Sequence, residues 1–127
     1  MNPVAKNILV TAGLLLALGT ILGAVSTHAL RAQLAPDQLA VFETAVRYHF
    51  YNALGLLALG AVALTVNPPV LRWGALLIVI GIALFSGALY FVSLGGPRFL
   101  HVLPPFGGVA LIVGWVMCAV AIWRVRT

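Results

Sequence analysis

Two acidic and seven basic residues are all the fixed charge in this 127-residue chain, so its chemistry must come from a short list of polar side chains. Glu43 and Arg47 stand four apart, as do Arg47 and Tyr51 and, one step on, Tyr48 and Asn52; His49 lies among them. Residues three and four apart are neighbours on a helix, so this segment carries two adjacent polar faces, with Glu43 and Arg47 spaced as an ion pair. Ser86, Tyr90 and Ser93 recur at the helical period and form a stripe of their own. Facing each other, the two polar segments could hold a lipid headgroup, a quinone head or ordered water. The plainer use of such groups is hydrogen bonding between helices. Imidazole suits Zn, Cu and Fe, which makes His28, His49 and His101 weak candidates for metal or haem ligands, although their spacing matches no ligand motif. No Ser-His-Asp, Cys-His, paired-carboxylate or phosphate-loop pattern is present, and two acids leave acid–base catalysis little to work with. The expectation is a protein that is not an enzyme and carries no cofactor.

The elements that position these residues follow from composition. A soluble domain is about 45–50% apolar and about a quarter charged; this chain is 63% hydrophobic and 7% charged, with a mean hydropathy of +1.14. Such a composition excludes a water-soluble globule and a disordered chain. The net charge of +5 reflects the scarcity of acids. Its basic residues are scattered singly, whereas a nucleic-acid surface needs them clustered. Cys118 is the one cysteine, so no intrachain disulfide or cysteine metal cluster can form. The class is integral membrane protein.

Charge placement sets the architecture. Lys6 to Arg31, Arg47 to Arg72, Arg72 to Arg98 and Arg98 to Arg124 each enclose 24 or 25 uncharged residues, and a helix crosses the hydrocarbon with about 20. These runs lack the alternation of barrel strands, and backbone in lipid must satisfy its own hydrogen bonds, so they are helices. The expectation is an all-α, four-transmembrane-helix bundle in a single membrane domain, with spans near 7–27, 37–66, 70–94 and 102–124. Asn67-Pro68-Pro69 makes a tight turn, and Pro36 and Asp37 suit the first turn of the second helix. At 1.5 Å per residue, residues 37–66 reach about 45 Å, so that helix has an interfacial or extramembrane start. The run Ile8 to Val25 exceeds the usual apolar region of a secretory signal and reads as a retained first span. Gly19 and Gly23, with Gly87, Gly107 and Gly108, are placed to let helices approach closely, within the chain or between copies. Pro104-Pro105 before Gly107-Gly108 should kink or delay the last span.

With four spans, both termini and the 67–69 turn share one side. Lys6, Arg72, Arg124 and Arg126 lie there without an acid, which places both termini in the cytoplasm, four basic residues against three. The other half of the bundle holds most of the polar side chains: Ser26, Thr27, His28, Arg47, Tyr48, His49, Tyr51, Asn52, Ser86, Tyr90, Ser93 and His101. A polar outward-half cup above a dry inner half is the expected form.

Four motifs resemble those of the YgdD/YwdK-type small four-span inner-membrane proteins, a domain-of-unknown-function family with eukaryotic relatives. Leu22-Gly23-Ala24-Val25-Ser26-Thr27-His28-Ala29-Leu30 is similar to the family's L-G-A-F-G-A-H-x-L. Tyr48-His49-Phe50-Tyr51-Asn52-Ala53-Leu54 resembles Y-Q-x-[FY]-H-x-L, and Leu84-Phe85-Ser86-Gly87-Ala88-Leu89-Tyr90 resembles L-F-S-G-S-L-Y. Pro105-Phe106-Gly107-Gly108 with Gly114-Trp115 resembles P-x-G-G…G-W. One departure stands out: the family's His falls on Asn52 and its Gln on His49, so an imidazole is kept but displaced to a neighbouring helical position. The resemblance implies four spans and a bacterial inner membrane, and no activity.

The functional expectation is a non-enzymatic accessory or binding protein whose cup holds a lipid or lipophilic ligand. Its partners would be membrane lipids, another membrane protein or a second copy of the chain. A small homo-oligomeric transporter or channel is the alternative, opposed by the dry inner half, and a His-based metal or haem protein is third.

Overall fold

A computed structural model describes residues 1–127. The apolar runs set out above become helices: α1 (Pro3–Val25), α2 (Pro36–Val62), α3 (Pro69–Ile82), α4 (Ala88–Ser93) and α5 (Leu103–Trp123). A π-helical segment, Ser26–Leu30, continues α1, another, Ala83–Gly87, joins α3 to α4, and a 3₁₀ turn, Arg98–Val102, leads into α5. The chain has no β-strand. Three continuous stretches are long and apolar enough to cross a membrane: Pro3–Leu30, Pro69–Ser93 and Arg98–Trp123. The second helix does not join them, because Arg47, His49 and Asn52 interrupt its apolar run. The sequence expectation of four spans and the three strongly apolar helices therefore differ at α2.

Local chemistry sets the helix ends. Asn2 caps α1, its Oδ1 accepting from the Ala5 N–H at 2.8 Å, and Pro3 occupies the first turn, where no N–H is missed. The Gln38 side chain accepts from the Ala35 N–H at 3.2 Å, closing the start of α2 around Pro36 and Asp37. Hydroxyls on the helix surfaces turn back onto their own backbone, Thr20 onto Leu16, Thr27 onto Gly23 and Thr44 onto Ala40. Polar groups without water are thereby satisfied inside one helix.

α1 packs along α2, α3 and the following π segment pack along α5, and α2 lies against α3, the π segment and α4. α1 and α3 scarcely touch. At one end the Asn2 Nδ2 donates to the Ala63 carbonyl at 2.8 Å and Asn67 Nδ2 to Asn2 Oδ1 at 3.3 Å, which ties the N-terminus to the α2–α3 turn. The core is aliphatic, around Ile8, Leu56, Leu71, Ile78 and Leu111. The outside is apolar as well: Leu14 is 68% exposed and Ile112 66%. Large apolar side chains spread over the whole surface are what a lipid-facing bundle presents.

Glycine sets the helix spacing. Between such surfaces in lipid, association rests on close packing. Gly19 faces the His49 and Phe50 rings, and Gly23 faces Val46, so the GxxxG pair of α1 is used against α2. A Cβ on Gly107 would strike the backbone of Leu84 and Phe85, and Gly74 and Gly114 oppose each other across α3 and α5. Two packing expectations change. A Cβ on Gly87 would meet nothing within 4 Å, and one on Gly108 only the Phe85 ring at 3.9 Å, because the π segment turns Gly87 away from the contact that Gly107 makes.

Candidate functional site

The middle of the bundle holds three sets of hydrogen bonds, built on His49 with Tyr90, Asn52 with Trp115, and Ser86. His49 sits on α2 facing the glycine notch of α1. Its Nε2 lies 2.7 Å from the Leu15 carbonyl and its Nδ1 2.8 Å from the Tyr90 hydroxyl. A carbonyl can only accept, so Nε2 carries the proton of the neutral ring and Nδ1 accepts from Tyr90. One imidazole thus links α1, α2 and α4. Asn52, one turn on, accepts from the Trp115 Nε1–H at 2.8 Å and donates to the Tyr48 carbonyl at 2.8 Å, joining α2 to α5. Ser86, within the π segment, donates to the Ala45 carbonyl at 2.8 Å, and Ser93 donates to Tyr90 at 2.7 Å. Phe42 packs on Tyr90 at 5.0 Å between ring centroids, and Phe85 meets Tyr48 edge-on at 5.1 Å. No buried side-chain nitrogen or oxygen lacks a partner.

The rest of the expected cluster lies elsewhere. His28, Glu43, Arg47, Tyr48 and Tyr51 are exposed, Tyr48 packing against the Tyr51 and Phe85 rings. Glu43 and Arg47 form no ion pair despite their spacing, since both side chains reach outward from the helix surface where nothing holds them together. His28 and His101 are exposed while His49 is buried, and no three His, Cys, Asp or Glu side chains come together. The polar half is thus a hydrogen-bonded seam where an open cup was expected: its buried polar atoms are taken up by backbone carbonyls and, in the His49–Tyr90 and Asn52–Trp115 pairs, by one another. Neither of the two principal cavities is lined by any of these residues.

The larger cavity lies at the opposite end. It is a lateral crevice of about 450 Å³ where α1 and α3 stand apart, with Val4, Ile8 and Thr11 on one wall, Leu76 and Val79 on the other, and Leu56 of α2 as the floor. Asn7, Arg72 and Trp73 frame its mouth. The Arg72 guanidinium lies over the Trp73 ring at 4.8 Å from its centroid. Trp is enriched at membrane–water boundaries, and basic residues commonly flank spans there. A second cavity of about 300 Å³, wholly apolar, runs along the outer face of α3 and α5.

Sequence reasoning missed two participants, and each had a signal. Asn2 before Pro3 is an N-cap followed by a first-turn proline. Trp115 is a lone indole donor in an apolar run, which needs a partner when buried. The crevice had no local signal, because it arises from which helices pair.

The family description "Protein of unknown function (DUF423)" matches residues 22–108. The chain is 41% identical over 109 residues to the UPF0382 membrane protein YwdK of Bacillus subtilis, covering 84% of this chain and 86% of that protein. It is 38% identical over 111 residues to a UPF0382 membrane protein of Staphylococcus saprophyticus, covering 87% and 90%. A third such protein, from Staphylococcus epidermidis, is 37% identical over 107 residues, covering 84% and 85%. No solved structure matches the chain.

Proposed function

The chain belongs to the DUF423 family, whose relatives are bacterial membrane proteins, and on that premise we propose that it is a non-enzymatic four-span protein of the bacterial plasma membrane that holds a membrane lipid. Four spans put both termini on one side of the membrane, and the basic residues Lys6, Arg72, Arg124 and Arg126 on that side favour the cytoplasm. Support for the fourth span comes from α2 itself: of the three side chains that interrupt its apolar run, His49 and Asn52 face neighbouring helices rather than lipid, which leaves Arg47, near the entry end, as the one exposed to the surroundings. An even count also agrees with the N-terminus bonded to the α2–α3 turn. Reporter fusions at Met1 and Thr127 are expected to lie on the same, cytoplasmic face. Opposite faces would require three spans and end this topology.

One observation carries the binding function. The buried polar groups already have hydrogen-bond partners, while the crevice between α1 and α3 opens sideways, toward the lipid, with mainly apolar walls. A cavity of this size falls within the range of about 300–1,000 Å³ that accepts small molecules. It is shaped for a lipophilic ligand entering from the bilayer. Native mass spectrometry of the protein released from mild detergent, with an absorbance spectrum of the same sample, tests this. The expected result is a retained lipid in one-to-one stoichiometry and a colourless sample; a chain released bare would refute the lipid function, and visible absorbance would point to a prosthetic group in its place.

A further inference from the structure

Resting on that reading, we propose that the crevice selects an anionic phospholipid, with one acyl chain against Ile8, Leu56 and Leu76 and the phosphate on the Arg72 guanidinium beside the Asn7 amide. Three features meet there. Val4, Ile8, Leu56, Ala75, Leu76 and Val79 make walls and floor mainly apolar, with Thr11 the one hydroxyl among them, which suits part of an extended hydrocarbon chain. At the mouth stands a guanidinium, which binds phosphate with a planar fork of donors. Arg72 is exposed, and its guanidinium lies over the Trp73 ring, a partner that accepts none of its N–H groups along the fork. Both carboxylate side chains of the molecule, Asp37 and Glu43, lie in the first two turns of α2, remote from the end where Asn2 meets Ala63. Nothing acidic near the mouth competes for Arg72.

Charge then decides the class of lipid. An apolar groove alone would accept any acyl chain, and a free phosphate would have no use for the groove. A guanidinium at a hydrocarbon crevice fits a molecule that is anionic at one end and aliphatic at the other. The same end carries Lys6, Arg124 and Arg126 in its flanking segments, so the surrounding field favours the same sign of headgroup.

The test uses the full chain in mild detergent, titrated with phosphatidylglycerol and with phosphatidylcholine of identical acyl chains and read by native mass spectrometry. One phosphatidylglycerol should bind in preference to phosphatidylcholine, and inorganic phosphate should not displace it. Arg72→Gln, a change at an exposed side chain, should lower phosphatidylglycerol retention about fivefold, the factor corresponding to one basic side chain at a lipid surface, and leave phosphatidylcholine unchanged. Arg124→Gln, which alters the surrounding field but not the crevice, should lower phosphatidylglycerol retention less than Arg72→Gln does and leave phosphatidylcholine unchanged. Leu76→Trp, which narrows the crevice from its lipid-facing wall, should reduce both. Equal retention of the two lipids, or indifference to Arg72→Gln, overturns the anionic site while lipid binding itself stands. Unaltered retention in Leu76→Trp moves the lipid out of the crevice and overturns the proposal equally. If neither lipid is retained by the unaltered protein, the lipid function fails along with the site.

Discussion

Gly107→Val is expected to destabilise the bundle by about 3 kcal/mol, at the upper end of what overpacking costs. The reason is the nature of the obstacle. A Cβ on Gly107 would lie 2.7 Å from the Leu84 carbonyl carbon and 2.9 Å from the Phe85 Cα, and backbone cannot rotate away as a side chain can. Two branched methyls enlarge the conflict, so α5 must separate from the π segment. That separation also strains the Asn52–Trp115 hydrogen bond, because Trp115 lies two turns further along α5. Gly13→Ala and Gly87→Ala make the contrast: each added Cβ would meet nothing within 4 Å. Both should be neutral or stabilising by up to about 1 kcal/mol, the helix preference of Ala over Gly. Unfolding followed by far-ultraviolet circular dichroism as sodium dodecyl sulfate replaces mild detergent would rank the three. If Gly107→Val unfolds at the same mole fraction as the unaltered chain, the close approach of α5 to the π segment is not what holds that pair together.

The same contact shows how far residues alone could carry the fold. Charge spacing marked the long apolar runs, because a charge in hydrocarbon is costly enough to bound every crossing. Asn67-Pro68-Pro69 marked the turn that separates α2 from α3. Pairing was less legible. Gly19, Gly23 and Gly107 were readable as small residues, but Gly87 looked equivalent, and only the extra residue of the π segment turns it away. Such a bulge leaves no signature in apolar periodicity, since it shifts the register by one residue inside an otherwise continuous run. The Ser86–Tyr90–Ser93 stripe survives this because all three residues lie in or after the bulge.

The candidate site divides along similar lines. Helical spacing placed His49 and Asn52 near each other but could not say that one would reach Leu15 and Tyr90 and the other Trp115. It also suggested the Glu43–Arg47 pair, since spacing reports proximity along a helix but not whether two flexible, solvated side chains remain together. The four motifs that carry the family resemblance contribute most of the polar seam. Tyr48, His49 and Asn52 come from the second, Ser86 and Tyr90 from the third, Trp115 from the fourth, and Gly23 of the first packs on Val46. These motifs thus describe how the helices join. The α1–α3 crevice falls outside all four because it is made where helices fail to join, by residues that are individually ordinary for a membrane span.

That division of labour rests on the His49–Tyr90 bond, and a double-mutant cycle measures it. His49→Leu removes the donor to Leu15 and the acceptor for Tyr90, leaving a hydroxyl without its partner. The expected loss is about 1–3 kcal/mol, the cost of stranding buried polar groups. Tyr90→Phe removes only the hydroxyl. The imidazole then keeps its bond to Leu15, so a smaller loss follows, near the average of about 0.6 kcal/mol found for interhelical hydrogen bonds in membrane proteins. In the double variant no hydroxyl is stranded, and the combined loss should fall short of the sum by about 0.6–1.7 kcal/mol. Phe42, stacked against Tyr90 and 2% exposed, retains its neighbour in both Tyr and Phe forms, so the shortfall reports the hydrogen bond rather than lost packing. The same detergent titration supplies all four corners of the cycle. Strict additivity would mean that the imidazole and the phenol do not depend on each other. His49 would then be a buried ring with one nitrogen available to a ligand, and the polar seam, rather than the crevice at the other end, would become the place to look for one.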